Sequence, residues 1–184
     1  MNPIRNKKIV IVAIVMLTTQ SVFGQDWKFN EKESFVVFIA KNLGLKVSGK
    51  ISGMTVAGKY VSENIFASSF VGSIDVSTID TDIVMRDNHL KSNDYFDVKT
   101  YPTIIFKPKE ISESGSSLKA TGTLTIKGVT KETEIFFTVK KNGLKHTLEG
   151  NVTIQRKDFD LGSNTTLVLA DTIQVRIFAV FERI

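Results

Sequence analysis

The sequence predicts an all-β protein, a single antiparallel β-barrel of about eight strands with one or two short helices in a cap at 81–98. Three observations lead there. Stretches of alternating apolar and polar residues recur down the chain, separated by short turn signals. No linker, internal repeat or low-complexity tract divides the chain after its first two dozen residues. One long polar, helix-prone insert, Arg86 to Pro102, interrupts the strands midway.

Residues 1–24 read as a secretory signal peptide. Arg5, Lys7 and Lys8 make a basic start, Ile9–Leu17 is an unbroken apolar run, and Val22–Phe23–Gly24 offers a cleavage site. The apolar run is shorter than the ~20 residues that span a bilayer. The domain is then 25–184, secreted and soluble. The 184 residues contain no cysteine, which excludes thiol catalysis, thiolate metal sites and disulfide staples. The net charge is +5, and removing the three cations of the leader leaves +2, so nothing argues for nucleic acid.

The strands follow in order. Val36, Phe38 and Ala40 share one face, with Val37 and Ile39 opposite, and Leu43–Gly44 breaks the run. Val47, Gly49, Ile51 and Gly53 alternate next, and Gly58–Val61 reads as a short third strand. Phe70, Gly72, Ile74 and Val76 point inward from 68–79. In the cap, Asp80, Thr81 or Asp82 is placed to accept the first helical N–H groups, Asp82 and Arg86 are one turn apart, and Ser92 is placed to cap a second turn. Pro102 holds Tyr101 extended and starts the next strand. Ile104 and Phe106 lie on one face of it, and Ser114–Gly115 turns the chain. Leu118, Ala120, Gly122, Leu124 and Ile126 form an inner face backed by Lys and Thr. Thr133, Ile135, Phe137 and Val139 form another, and Asn142–Gly143 signals a type I′ hairpin. Leu148, Gly150, Val152 and Ile154 follow, with His146 on the same parity. After an irregular stretch over 156–171, the last strand aligns Ile173, Val175, Ile177, Ala179 and Phe181.

Closing such a sheet leaves room for packed side chains or for one small ligand. Small residues among the inward positions (Ala40, Gly49, Gly72, Ala120, Gly122, Gly150, Ala179) favour a cavity. The expected cavity residues are Val36, Phe38, Ile51, Phe70, Ile74, Phe106, Leu124, Phe137, Leu148, Ile154, Val175 and Phe181. An outer-membrane barrel would need an apolar band outside, and here Lys119–Lys127 and Lys140–Lys145 put charge there, so no stable membrane insertion is expected. No catalytic set is visible: no G-x-S-x-G turn occurs, and His89 and His146 lack metal-pair spacing. Arg86, Asp87, His89 and Arg156 are the candidate headgroup or cap contacts, with hydrogen bonding inside the cap as the competing role. Arg156 and Asp158 form a candidate closing pair. Val37, Ile39, Phe136 and Phe178, facing outward, suggest a homodimer face.

The insert R-D-N-H-L-K-S-N-D-Y-F-D-V-K-T-Y-P resembles the signature of the YceI-like lipid/polyisoprenoid-binding family. Gly122–Lys131 and Ile154–Phe159 are similar to its G-x-L-T-I-x-G-V-T-K and I-x-R-x-D-F segments. Asn42 stands where that family usually has His, and Asp160 where it commonly has Gly. The resemblance implies a lipocalin-like barrel, a periplasmic location, an isoprenoid lipid as the bound partner, and neither metal, cofactor nor established catalysis. The expected function is storage or transport of a polyisoprenoid or related amphiphile, such as a quinone or prenyl precursor. The alternative is an enzyme acting on such a lipid at the barrel mouth.

Overall fold

A computed structural model describes residues 27–162 and 169–184. The expected signal peptide lies outside them. Ten strands make one antiparallel sheet: β1 (Trp27–Phe29), β2 (Phe35–Asn42), β3 (Leu45–Ile51), β4 (Met54–Lys59), β5 (Ser69–Asp75), β6 (Thr103–Ser114), β7 (Ser117–Ile126), β8 (Val129–Asn142), β9 (Lys145–Gln155) and β10 (Thr172–Arg183). The spatial order is β3-β2-β10-β9-β8-β7-β6-β5-β4, with β1 also on β10. β1 pairs the end of β10 at Phe181–Arg183 and β2 pairs Gln174–Phe178, so both occupy one lane, separated by a 3-10 turn at 31–33.

The sheet curls into a half-barrel. No ladder joins β3 to β4. One end of that seam is bridged by Lys50 and Asp80, whose N–H groups each donate to the other's carbonyl at 2.8 and 2.9 Å. Thr78 closes it further, with its hydroxyl donating to Ser52 O at 2.8 Å. The chain then enters α1 (Val84–Lys91) and a turn through 92–97, which together lie over the mouth.

Several local expectations shift. The third strand is Met54–Lys59, not 58–61: Met54 and Val56 supply the inward alternation, and Gly58 (φ +127°) falls inside the strand where a Cβ would sit 2.1 Å from Ser69 O. The extra strand β1 is short and was not expected. The hairpin after β8 pairs Asn142 with Lys145, so Gly143 (φ +57°) leads a type II′ turn with Leu144; the I′ geometry belongs to Lys127–Gly128 and Leu43–Gly44, where both residues have positive φ. The N-cap of α1 is Ile83, without a side-chain cap; Asp80 accepts instead from Asp82 N–H, and Asp87 reaches back to Thr81 N–H at 2.9 Å. Arg86 turns to Thr81 instead of Asp82.

Gly122 is dictated by packing. Opposite it, β6 bulges between Pro108 and Glu110, and a Cβ at Gly122 would sit 2.2 Å from Lys107 O. At Gly49 the same space is taken by the Phe38 ring, its cross-strand partner. Outside, Phe178 stacks on Phe35 at 4.8 Å, with Arg176 over Phe178 and Lys50 over Phe35, and Val37 and Ile39 are half-buried. Phe136 stays exposed.

Candidate functional site

The half-barrel encloses an apolar cavity of ≈ 440 Å³, within the usual range for small-molecule sites. Its wall comes from the inward alternation of the strands. β2 supplies Val36 and Phe38, β3 Ile51, β5 Phe70 and Ile74, β6 Phe106, β7 Leu124, β8 Phe137, β9 Leu148 and Ile154, and β10 Val175. Every expected cavity residue therefore reaches it except Phe181.

Phe181 is buried at the closed end. It stacks on Tyr60 with ring centroids 4.5 Å apart and meets Phe29 edge-on at 5.5 Å. Strand parity correctly turns it inward, but Trp27, Phe29 and Tyr60 fill that end of the barrel before a void can form. Residues not expected complete the site. Met54 and Val56 come from the relocated β4, and Leu90, Tyr95 and Phe96 come from the cap. The Tyr95–Phe96 pair in an otherwise polar insert was the available signal for the latter.

His146 belongs to the closed end. Its Nδ1 is 2.7 Å from the Tyr60 hydroxyl, and its ring stacks on Trp27 at 3.9 Å. Trp27 Nε1 is buried with no hydrogen-bond partner among the described residues. Burial pushes the Tyr60 pKa up to about 12, aided by the Glu63 charge, so Tyr60 stays neutral and its hydroxyl shares a hydrogen bond with His146 Nδ1. Burial, then the Lys141 charge, lowers the His146 pKa, while Glu63 opposes them. The unfolded chain therefore binds a proton near pH ~6.5 that the folded chain resists. The stability that neutral His146 contributes is full above that pH and is lost as pH falls toward its depressed folded value. Thermal melts should fall in midpoint between pH 7 and 5, and His146→Asn should flatten that dependence.

The polar residues cluster at the mouth. Arg86 lines the cavity, half-buried, with Nε donating to Thr81 Oγ1 at 2.8 Å and Nη2 to Thr81 O at 2.6 Å. Nη1 has no partner among the described residues and is available to a ligand. His89 also lines the mouth, edge-on to Tyr95 at 5.0 Å and 3.9 Å from Asp94, with both members of that pair exposed. Asp87 does not line the cavity; its carboxylate is taken by the N–H and hydroxyl of Thr81, tying the start of α1 to the β3 seam. Asn42 sits on the rim, where it offers hydrogen bonds without titrating.

Arg156 also lines the cavity, but its guanidinium is fully engaged. Nη1 donates to Leu161 O at 2.8 Å and Gly162 O at 2.7 Å, Nε to Ala170 O at 3.3 Å, and Nη2 to Leu169 O at 3.3 Å and Asp171 Oδ1 at 3.0 Å. Its carboxylate partner is Asp171, while Asp158 is exposed. Arg156 thus has no N–H left for a headgroup. Asp160 adopts the left-handed conformation (φ +53°, ψ +32°) that a glycine takes without strain, and its N–H caps the 3-10 turn at 156–159. Among the described residues no group of three or more His, Asp or Glu could hold a metal, and no helix is long and apolar enough to cross a membrane.

The YceI-like domain model matches residues 27–181. A UPF0312 protein of Pseudomonas aeruginosa is 28% identical over 155 residues, covering 79% of this chain and 81% of the relative. The crystal structure of Burkholderia cenocepacia BcnA is similar at a TM-score of 0.77 and 27% identity, over 83% of this chain and 99% of that one. A Campylobacter jejuni YCEI protein is similar at 0.64 and 27%, over 75% and 85%. A polyisoprenoid-binding domain from Saccharophagus degradans, implicated in plant cell wall breakdown, shares the fold at 0.66 with 15% identity, over 87% and 99%.

Proposed function

The chain belongs to the YceI-like domain family, and from that premise we propose that it holds a polyisoprenoid or related amphiphilic lipid, a quinone or prenyl precursor, in the barrel for storage or transport. The observation that carries this reading is the apolar cavity with its one polar end, Arg86 and His89, at the mouth. The tail lies against the strands and the head stays near the cap. The S. degradans domain of the same fold is described as polyisoprenoid-binding, which supports the ligand class.

Binding is dominated by the tail. Each buried methylene stabilises by ~0.8 kcal/mol. A partly exposed contact at Arg86 adds only ~0–1 kcal/mol. Arg86→Leu should therefore reduce any preference for a prenyl phosphate over the matching prenol by less than about tenfold and leave prenol affinity unchanged. Paired titrations of the two ligands measure it.

The protein acts as a carrier, working in the periplasm after export, and returns its lipid unchanged. Mass spectrometry of lipid extracted from the purified protein, then titration of the delipidated protein with an octaprenyl compound, tests this. Co-purification of a prenyl lipid and its recovery intact are the expected results. Failure to carry or take up any prenyl compound would overturn the reading, and a converted product would favour an enzyme.

A further inference from the structure

We infer that the cavity mouth docks on an anionic lipid bilayer, through the tip of the β2–β3 hairpin and the first turn of α1. The inference rests on the lipid-carrier reading and adds where the lipid is exchanged.

The mouth carries an unusual set of exposed side chains. Leu43 and Leu45, at the hairpin tip, are each 73% exposed. At the start of α1, Ile83, Val84 and Met85 are 50%, 76% and 83% exposed. Scattered surface apolar residues are ordinary, but these five come from two elements at one end of the barrel. The topology puts them there. Asn42, just before the tip, lines the cavity, as do Arg86, His89 and Leu90 of α1. The Lys50–Asp80 bridge sets the 80–83 segment antiparallel beside β3, directing it toward the hairpin tip. The closed end, with Tyr60, His146 and Phe181, lies at the opposite end of β10 from its contact with β2 residues 38 and 39.

Charge complements the apolar tip. From Ser34 to Ser62 the sequence has no Asp or Glu. Lys41 and Lys46, cross-strand partners flanking the tip, are exposed and make no ion pair among the described residues. Elsewhere some lysines are paired, as in Lys119–Glu134, Lys140–Glu149 and Lys145–Glu182, while Lys107 and Lys131 on the walls are exposed without an ion pair among the described residues. What sets the tip apart is that no carboxylate lies on its own two strands. On the helix side, Asp80 and Asp87 accept internal hydrogen bonds, while Asp82 is exposed. Aliphatic side chains flanked by lysines at one rim suit insertion into the headgroup region of anionic lipid. A long prenyl chain then passes from bilayer to cavity without crossing water.

Two sets of variants test this in the purified protein: Leu43→Asn with Leu45→Ser, Val84→Ser and Met85→Ser; and Lys41→Gln with Lys46→Gln. All the altered side chains are exposed, and circular dichroism checks the fold. The probe is a dansyl-labelled prenol, supplied either from phosphatidylethanolamine vesicles with and without phosphatidylglycerol or dispersed directly in buffer. The expected result is a transfer rate that rises with vesicle concentration and phosphatidylglycerol content, falls at least about tenfold in both sets, and leaves uptake from buffer unchanged. A rate independent of vesicle concentration and of both substitutions would overturn the docking surface. Failure of uptake from both sources would count against the carrier reading instead. Flotation with phosphatidylglycerol vesicles then decides docking alone: flotation lost in the variants supports it, and no flotation of the unaltered protein overturns it.

Discussion

A Gly72→Phe variant is expected to fold and to lose about a hundredfold in affinity for a prenyl lipid. Gly72 lies on β5 between Val56 and Phe106 and lines the cavity. A Cβ added there meets nothing within 4 Å, so the new side chain projects into the void without displacing backbone. Excluding three or four methylenes of ligand, at ~0.8 kcal/mol each, removes roughly 3 kcal/mol of binding. Filling an apolar void costs the fold little, so the melting temperature should hold or rise. Fluorescence titration and thermal melts on one preparation separate the two quantities. A folded variant with full affinity would place the lipid elsewhere. Position 72 is a cleaner probe than Phe137, which is buried at 6% exposure: Glu there would put a carboxylate into the core, and lost binding would then reflect lost folding.

Arg156→Met should destabilise the protein by about 3–5 kcal/mol, a large part of the 5–15 kcal/mol typical of a domain. The guanidinium is 3% exposed and holds four carbonyls and Asp171, so an apolar replacement leaves a set of acceptors without donors inside the wall. Arg156→Lys should recover only part of the loss, because one ammonium cannot reach acceptors spread across 161–171. Urea unfolding measures both. A change below about 1 kcal/mol for the methionine variant would mean that water replaces the guanidinium at little cost.

The lining of the cavity was largely legible because strand parity is a local property. Alternation over 118–126 and 173–179 fixed which side chains point inward, and those residues line the site or its base. Parity says nothing about depth along the barrel, so Phe181 could not be told from Val175. The Arg156–Asp171 pair was hidden for a different reason. Which carboxylate meets a buried arginine depends on how an irregular segment folds back, and nearness in sequence pointed to Asp158. The cap signature located Arg86 but not the ties to Thr81 that leave Nη1 for a ligand.

The placement of β10 has a consequence for how the molecule is made. The strand formed by residues 172–183 lies between β9 and the lane shared by β1 and β2. Until it is synthesised, β1 and the β2–β3 hairpin have no further strand to join, while β4 to β9 can pair in chain order, each with the next. Such distant pairing is slow to form. β1 and the β2–β3 hairpin are thus among the last elements to be locked in place, and a polypeptide lacking 172–183 would leave them without their lane in the sheet.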